Sequence, residues 1–239
     1  MDYLKPPRLR PGDSVAVVST SWGGPHLFPH IFDAGIRALT DRFGVRVVEY
    51  PTARMAPSDL AADPRARAAD LNAAFADNDI AAVICSIGGD DSARILQYLD
   101  ADVIRGNPKI MMGFSDSTTQ LVYAHQLGLV TFNGPAVMAG FAQLANFAQA
   151  EAHVRSMLFE PMDRLVYEPF PHWVNEYAPW NQPESAQPEN AGQFGARDLA
   201  IVTNMDFGHT DPQWILPLGI TAELDCNMRT FALTEAAVT

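Results

Sequence analysis

The chain has 239 residues, of which 48% are hydrophobic and 18% charged, enough to bury the core of one large domain or two modest ones. A net charge of −12 and the lack of any Lys/Arg run argue against a nucleic-acid partner, since such a surface repels phosphate backbones. The two cysteines, Cys85 and Cys226, stand in no metal-ligand spacing and suit a reducing compartment.

The N-terminal segment Met1-Asp2-Tyr3-Leu4-Lys5-Pro6-Pro7 has no apolar core of the signal-peptide kind. Asn133, Gly134 and Pro135 interrupt the longest apolar stretch, 128–148, so no membrane span is expected and the reading is of a cytoplasmic protein. Val15 to Ser19 is a short apolar run after Pro11-Gly12-Asp13 and reads as a buried parallel strand. A Ser/Gly-rich loop, 19–25, follows it. Ile31 to Phe43 has helical spacing and is stopped by Gly44. Val45 to Tyr50 is the next strand. Asp63-Pro64 opens a helix, with Asp63 as N-cap and Leu71, Ala74 and Phe75 on its apolar face. Ile80 to Cys85 is a third strand, which ends in Ser86-Ile87-Gly88-Gly89-Asp90-Asp91. After helical spacing from Ser92 to Leu99, Lys109 to Phe114 gives a fourth strand. A helix through Leu127 and a fifth strand, Leu129 to Phe132, complete the series.

Strands alternating with helices predict a parallel sheet covered on both faces, with sites at the C-terminal ends of its strands. Three polar, Gly-bearing loops fall at those ends: 19–25, 86–91 and 113–117. Residues 161–197 are rich in Pro, Glu, Gln and Asn and carry no period, so they read as a linker or long loop containing Trp173 and Trp180. Beyond them, Leu199 to Thr203 reads as a strand and Asn204 to Gln213 as a polar loop. Thr221 to Leu224 and Thr230 to Leu233 read as a hairpin around Cys226-Asn227-Met228. The expected organisation is an α/β domain over 1–160, the linker over 161–197 and a small, incomplete β-rich unit over 198–239.

Gly113-Phe114-Ser115-Asp116-Ser117 sets a serine at a strand-to-helix turn, where its hydroxyl stands clear of the sheet. The amide of Asp116 is then a natural donor to an oxyanion. The motif is Gly-x-Ser-x-Ser rather than Gly-x-Ser-x-Gly, and a plain helix cap by Ser115 or Asp116 is the alternative reading. Gly88-Gly89 lets a backbone approach a ligand closely. A nucleotide phosphate loop is one rival reading, against which stand the missing lysine of such a loop and the missing third glycine of a dinucleotide fingerprint, and a plain tight turn is the other. His209 lies in a polar loop with Asp206 and Asp211 beside it and could serve Ser115 as a base. The remaining histidines share no ligand spacing, and neither metal nor cofactor is expected.

Taken together these segments resemble the LD-carboxypeptidase serine peptidases, nearest to their microcin-immunity branch. The segments are Ile87-Gly88-Gly89-Asp90-Asp91-Ser92, Pro108 to Thr118, Thr131-Phe132-Asn133-Gly134-Pro135, and Gly208-His209-Thr210-Asp211-Pro212 with Leu216-Pro217-Leu218-Gly219. The resemblance implies a flavodoxin-like N-terminal domain and a smaller β-rich C-terminal domain in a cytoplasmic homodimer without metal. It implies Ser115 as nucleophile, His209 as general base, the Gly89 and Asp116 amides as oxyanion hole, and Gly88, Asp90 and Asn133 as substrate-binding positions. The substrates it implies are a murein tetrapeptide or a peptidyl-nucleotide. One departure is plain. The family carries a segment with a triad glutamate between the linker and the histidine strand, whereas here Pro183 to Asn190 runs almost directly into Asp198 to Asn204. Glu176, Glu184 and Glu189 are the glutamates of the linker, and none has the family's strand context. An inactive, ligand-binding member is therefore the alternative expectation, because loss of the orienting carboxylate costs on the order of 10⁴ in rate in the serine-triad template.

Overall fold

In the computed structural model, residues 3–170, 172–173, 180–181, 189–190, 209 and 211–239 are described, without the side chains of 172–173 and 189–190. The strands are β1 (Ser14–Val18), β2 (Arg46–Glu49), β3 (Ile80–Cys85), β4 (Ile110–Gly113), β5 (Thr131–Asn133), β6 (Leu165–Val166), β7 (His172–Trp173), β8 (Glu189–Asn190), β9 (Leu216–Leu218), β10 (Ala222–Asp225) and β11 (Thr230–Leu233). The α-helices are α1 (Gly24–Leu27), α2 (Pro29–Phe43), α3 (Pro57–Ala62), α4 (Pro64–Ala76), α5 (Ala101–Gly106), α6 (Thr118–Gln126) and α7 (Ala148–Leu158). The segment Ser92–Tyr98, expected as helix, winds as 3₁₀.

The main sheet has the order β2-β1-β3-β4-β5-β9. Its first five strands run parallel, the 2-1-3-4-5 arrangement of flavodoxin-like folds, and β9 closes the edge antiparallel to β5. Strand periodicity explains the two cores. In β1, Val15 and Val17 face one way, with Phe32, Leu39 and Phe43 of α2, while Ala16 and Val18 face the other, with Leu71 and Phe75 of α4 and Leu121 of α6. Around β1, β3 and β4 both faces are buried, which is why these strands read as unbroken apolar runs, whereas the edge strand β2 is largely exposed.

Local signals set the helix ends. The Asp63 carboxylate accepts hydrogen bonds from the Arg65 and Ala66 amides and opens α4. Gly44 ends α2 in the left-handed region, at φ 69. The hairpin β10–β11 forms as expected and is joined by β6 from the Pro-rich stretch, giving a second sheet of three strands. Pro217 sits in β9 without losing a sheet bond, because β9 is an edge strand. The short helices α1 and α3 and the longer α7 are elements that the pattern reading did not anticipate. The expected strand Leu199 to Thr203, along with Asp206, Glu176, Glu184 and the side chains of Glu189 and Trp173, lies outside the described residues. Among the described residues, no helix is long and apolar enough to cross a membrane.

Candidate active site

The loops after β1, β3 and β4 meet at the C-terminal edge of the sheet, beside its switch point, and Ser115 is at their centre. Ser115 has φ 57, a left-handed conformation that a serine adopts only under constraint. Phe114 before it is fully extended, and a 3₁₀ turn, Ser115–Ser117, leads into α6. The reversal is tight. A side chain at Gly113 would put its Cβ 2.6 Å from Ser117 Oγ and 3.1 Å from Cys85 Sγ, so only glycine fits there.

Neither Ser115 nor Asp116 caps the helix, which removes the structural alternative raised by the motif. The Ser115 hydroxyl instead lies 3.0 Å from Nε2 of His209, and the His209 ring meets Phe114 edge to face at 5.4 Å between centroids. Two groups 94 positions apart in the chain thus stand in the relation a nucleophile needs with a base.

The Gly88-Gly89 turn flanks this pair. A Cβ on Gly88 would lie 3.0 Å from Ser115 Cβ, 3.3 Å from its Oγ and 3.4 Å from the Asp116 amide nitrogen. A Cβ on Gly89 would collide with Ser21 Oγ. The glycines therefore allow two backbones to close around one hydroxyl. Asn133, at the end of β5, donates from Nδ2 to Thr118 Oγ1 at 3.2 Å on the first turn of α6, and Asp90 is exposed at the tip of the turn.

The structure also shows what spacing alone could not. Arg67, on α4 and wholly buried, donates from Nη1 to Thr20 O (3.1 Å) and to Asp91 Oδ1 (2.6 Å), and from Nη2 to Asp91 Oδ2 (3.2 Å). Burial alone would raise the Asp91 carboxyl, but hydrogen bonds from Arg67 and Arg94 hold it below the usual carboxylate range. One guanidinium thus joins the loops after β1 and β3 from beneath. On the outer side, Trp22 stacks on Trp180 at 6.2 Å and 23°, and Phe28 meets Trp180 edge-on at 5.6 Å. The Trp180 carbonyl lies 2.8 Å from His30 Nε2. An apolar period in 19–25 would not have revealed this cluster, because its members come from a loop, a helix boundary and the Pro-rich stretch.

The third member of a triad is not assembled among the described residues, where no carboxylate is hydrogen-bonded to His209. Asp211, two positions on, is turned inward: it is 2% exposed and its Oδ1 has no partner. Burial pushes its carboxyl up to about 7.

Residues 15–134 match the model of the LD-carboxypeptidase N-terminal domain, and residues 155–224 that of the LD-carboxypeptidase C-terminal domain. The chain belongs to the LD-carboxypeptidase family. It is 28% identical over 185 residues to the microcin C7 self-immunity protein MccF of Escherichia coli, an alignment covering 76% of this chain and 53% of MccF. It is 36% identical over 132 residues to the protein of Bacillus subtilis named probable murein peptide carboxypeptidase, covering 55% and 40%. The chain spans about half the length of the curated relatives it matches. MccF in complex with aspartyl sulfamoyl adenosine has the same fold, with a TM-score of 0.84 at 20% identity over 99% of this chain and 100% of that one. An MccF-like protein of Bacillus anthracis aligns at a TM-score of 0.68 and 26% identity, over 78% of this chain and 56% of that one.

Proposed function

We propose that this member of the family is a serine carboxypeptidase-type hydrolase that cleaves an amide bond through Ser115. The observation that carries the reading is a serine held in a left-handed elbow with its hydroxyl 3.0 Å from a histidine Nε2. In the reaction, Ser115 Oγ attacks the carbonyl carbon while His209 Nε2 takes its proton. The carbonyl oxygen, now an anion, lies against the amides of Asp116 and Gly89. Collapse breaks the C–N bond, and His209 returns the proton to the departing amine. Water, deprotonated by the same ring, then hydrolyses the Ser115 ester and restores the hydroxyl. Gly88, Asp90 and Asn133 border the space left for the acyl group.

Between the two substrate classes, the Trp22–Phe28–Trp180 cluster favours a peptidyl-nucleotide over a murein peptide. Trp22 adjoins Gly89, and flat apolar rings next to the oxyanion turn offer a nucleobase a stacking surface. Solved structures of MccF with aspartyl sulfamoyl adenosine and glutamyl sulfamoyl guanosine, and of an MccF-like protein from Streptococcus pneumoniae with AMP, support the same branch. We take the chain to be a homodimer, which equilibrium sedimentation checks. The decisive test of the hydrolase reading is a serine-directed phosphonate. It should label Ser115, and Ser115→Ala should abolish both labelling and release of the sulfamoyl nucleoside from an aminoacyl sulfamoyl adenosine; labelling elsewhere, or turnover that survives the substitution, refutes the reading.

A second reading, a ligand-binding protein without turnover, is favoured by the lack of a carboxylate on His209 among the described residues. It predicts that the same nucleotide binds, by calorimetry, and is recovered intact.

A further inference from the structure

The residue after the nucleophile does more than lend its amide. The Asp116 carboxylate oxygen Oδ2 accepts from the Ser92 amide at 2.8 Å and from the Ser21 hydroxyl. Ser92 answers with its own hydroxyl, which donates to the Asp116 carbonyl at 2.7 Å and shares a 2.6 Å bond with Thr119 Oγ1. Ser21 is packed against Gly89, and the Trp22 amide next to it donates to the Gly88 carbonyl at 3.3 Å. A closed ring results: the elbow after β4, the loop after β1 and the turn after β3 each hold the other two, and all three bind to one carboxylate oxygen or to its immediate neighbours.

This matters because the two oxyanion donors belong to different loops. The Asp116 amide moves with the elbow and the Gly89 amide with the β3 turn. An oxyanion hole works only when its donors stand within a few tenths of an ångström of the developing charge, and separate loops do not guarantee that spacing. Resting on the hydrolase reading above, we propose that the Asp116 side chain is a positioning residue that sets the Gly89 amide at its working distance from the Asp116 amide. One residue thereby supplies the first donor and aligns the second. Charge explains the choice of side chain, since an ionised oxygen holds two donors more firmly than a neutral one.

An asparagine retains the side-chain oxygen and can accept from both Ser21 and Ser92, whereas alanine abandons both donors. The test compares the parent chain, Asp116→Asn and Asp116→Ala by three measurements: phosphonate labelling rate at Ser115, thermal midpoint, and amide exchange over 86–92. Asp116→Ala should label about 10²–10³-fold more slowly, the loss expected for one oxyanion donor. Its exchange over 86–92 should accelerate. Asp116→Asn should stay within about tenfold of the parent, as expected where the weaker neutral acceptor keeps the geometry. If Asp116→Ala labels as fast as the parent, the positioning role is refuted while the hydrolase reading stands. If Asp116→Asn is as slow as Asp116→Ala, or both lose rate only in step with their thermal midpoints, the role is refuted as general destabilisation. If the parent itself never labels at Ser115, the hydrolase reading fails and this inference falls with it.

Discussion

At Ser115 the backbone pays for the position of the side chain. A non-glycine residue in the left-handed region costs roughly 1–2 kcal/mol, a strain that persists only where the surroundings impose it. Glycine at that position carries no such cost. Ser115→Gly should therefore be more stable than Ser115→Ala by about 1 kcal/mol, although both lack the hydroxyl, and scanning calorimetry would show the glycine variant melting a few degrees higher. A second prediction concerns Gly88. A methyl there would press on Ser115 Cβ at 3.0 Å and crowd its Oγ, so Gly88→Ala should fold while losing about 10²-fold or more in phosphonate labelling. The convergence of Ser115, His209 and the two glycines was legible, because short Gly-bearing motifs at strand ends mark where loops meet. The ring of hydrogen bonds around Asp116 was not legible. The partners of its side chain, Ser21 and Ser92, lie 95 and 24 positions away, and a carboxylate after a serine looks the same in sequence whether it caps a helix or ties loops together.

At the level of elements, the parallel strands announced themselves, since burial on both faces forces unbroken apolar runs between Gly-bearing loops. The partner of Leu216-Pro217-Leu218 could not be read in this way. A three-residue strand carries no register of its own, and its place beside β5 is fixed by contacts across the sheet edge. One such contact is His153 on α7, whose Nε2 accepts the Ile215 amide at 2.8 Å, just before β9. Burial lowers this imidazole to about 4, so it is neutral in the fold and charges readily once unfolded. The unfolded chain binds the extra proton between about pH 4 and 6.5. The stability this group contributes is complete above pH 6.5 and is lost as the pH falls through 4, about 3 kcal/mol in all. His153→Gln can still accept from Ile215 and should remove that acid loss, measurable as a flatter urea-midpoint profile between pH 4 and 6.5.

For the molecule as a whole, Asp211 works in the opposite sense. Its carboxyl is raised to about 7 from 3.8, so here the folded chain holds the extra proton. Its contribution is complete below pH 3.8 and is lost as the pH rises through 7, about 4 kcal/mol in all. Between pH 4 and 6.5 the two groups pull against each other. Asp211→Asn should therefore leave stability at pH 4 almost unchanged, add stability at pH 8, and expose the rising limb that His153 produces, which denaturant titration at three pH values would resolve. The five parallel strands and the β10–β11 hairpin were expected from the sequence, whereas the places of β9 in the main sheet and of β6 beside the hairpin were not. The opposed pair was not, because burial, rather than residue type or spacing, moves both groups away from their ordinary values.

The stacked pair of Trp22 and Trp180 also gives the molecule an optical property. The chain has four tryptophans, and two of them stack on each other at 6.2 Å between ring centroids, near the Gly88-Gly89 turn. A purine that wedges against either indole would separate or cover them and quench their emission. On the peptidyl-nucleotide reading proposed above, AMP should alter the intrinsic fluorescence of the protein, with no label attached. Trp180→Phe should lose most of the signal change, and a murein tetrapeptide, which has no aromatic base, should leave the emission unaltered.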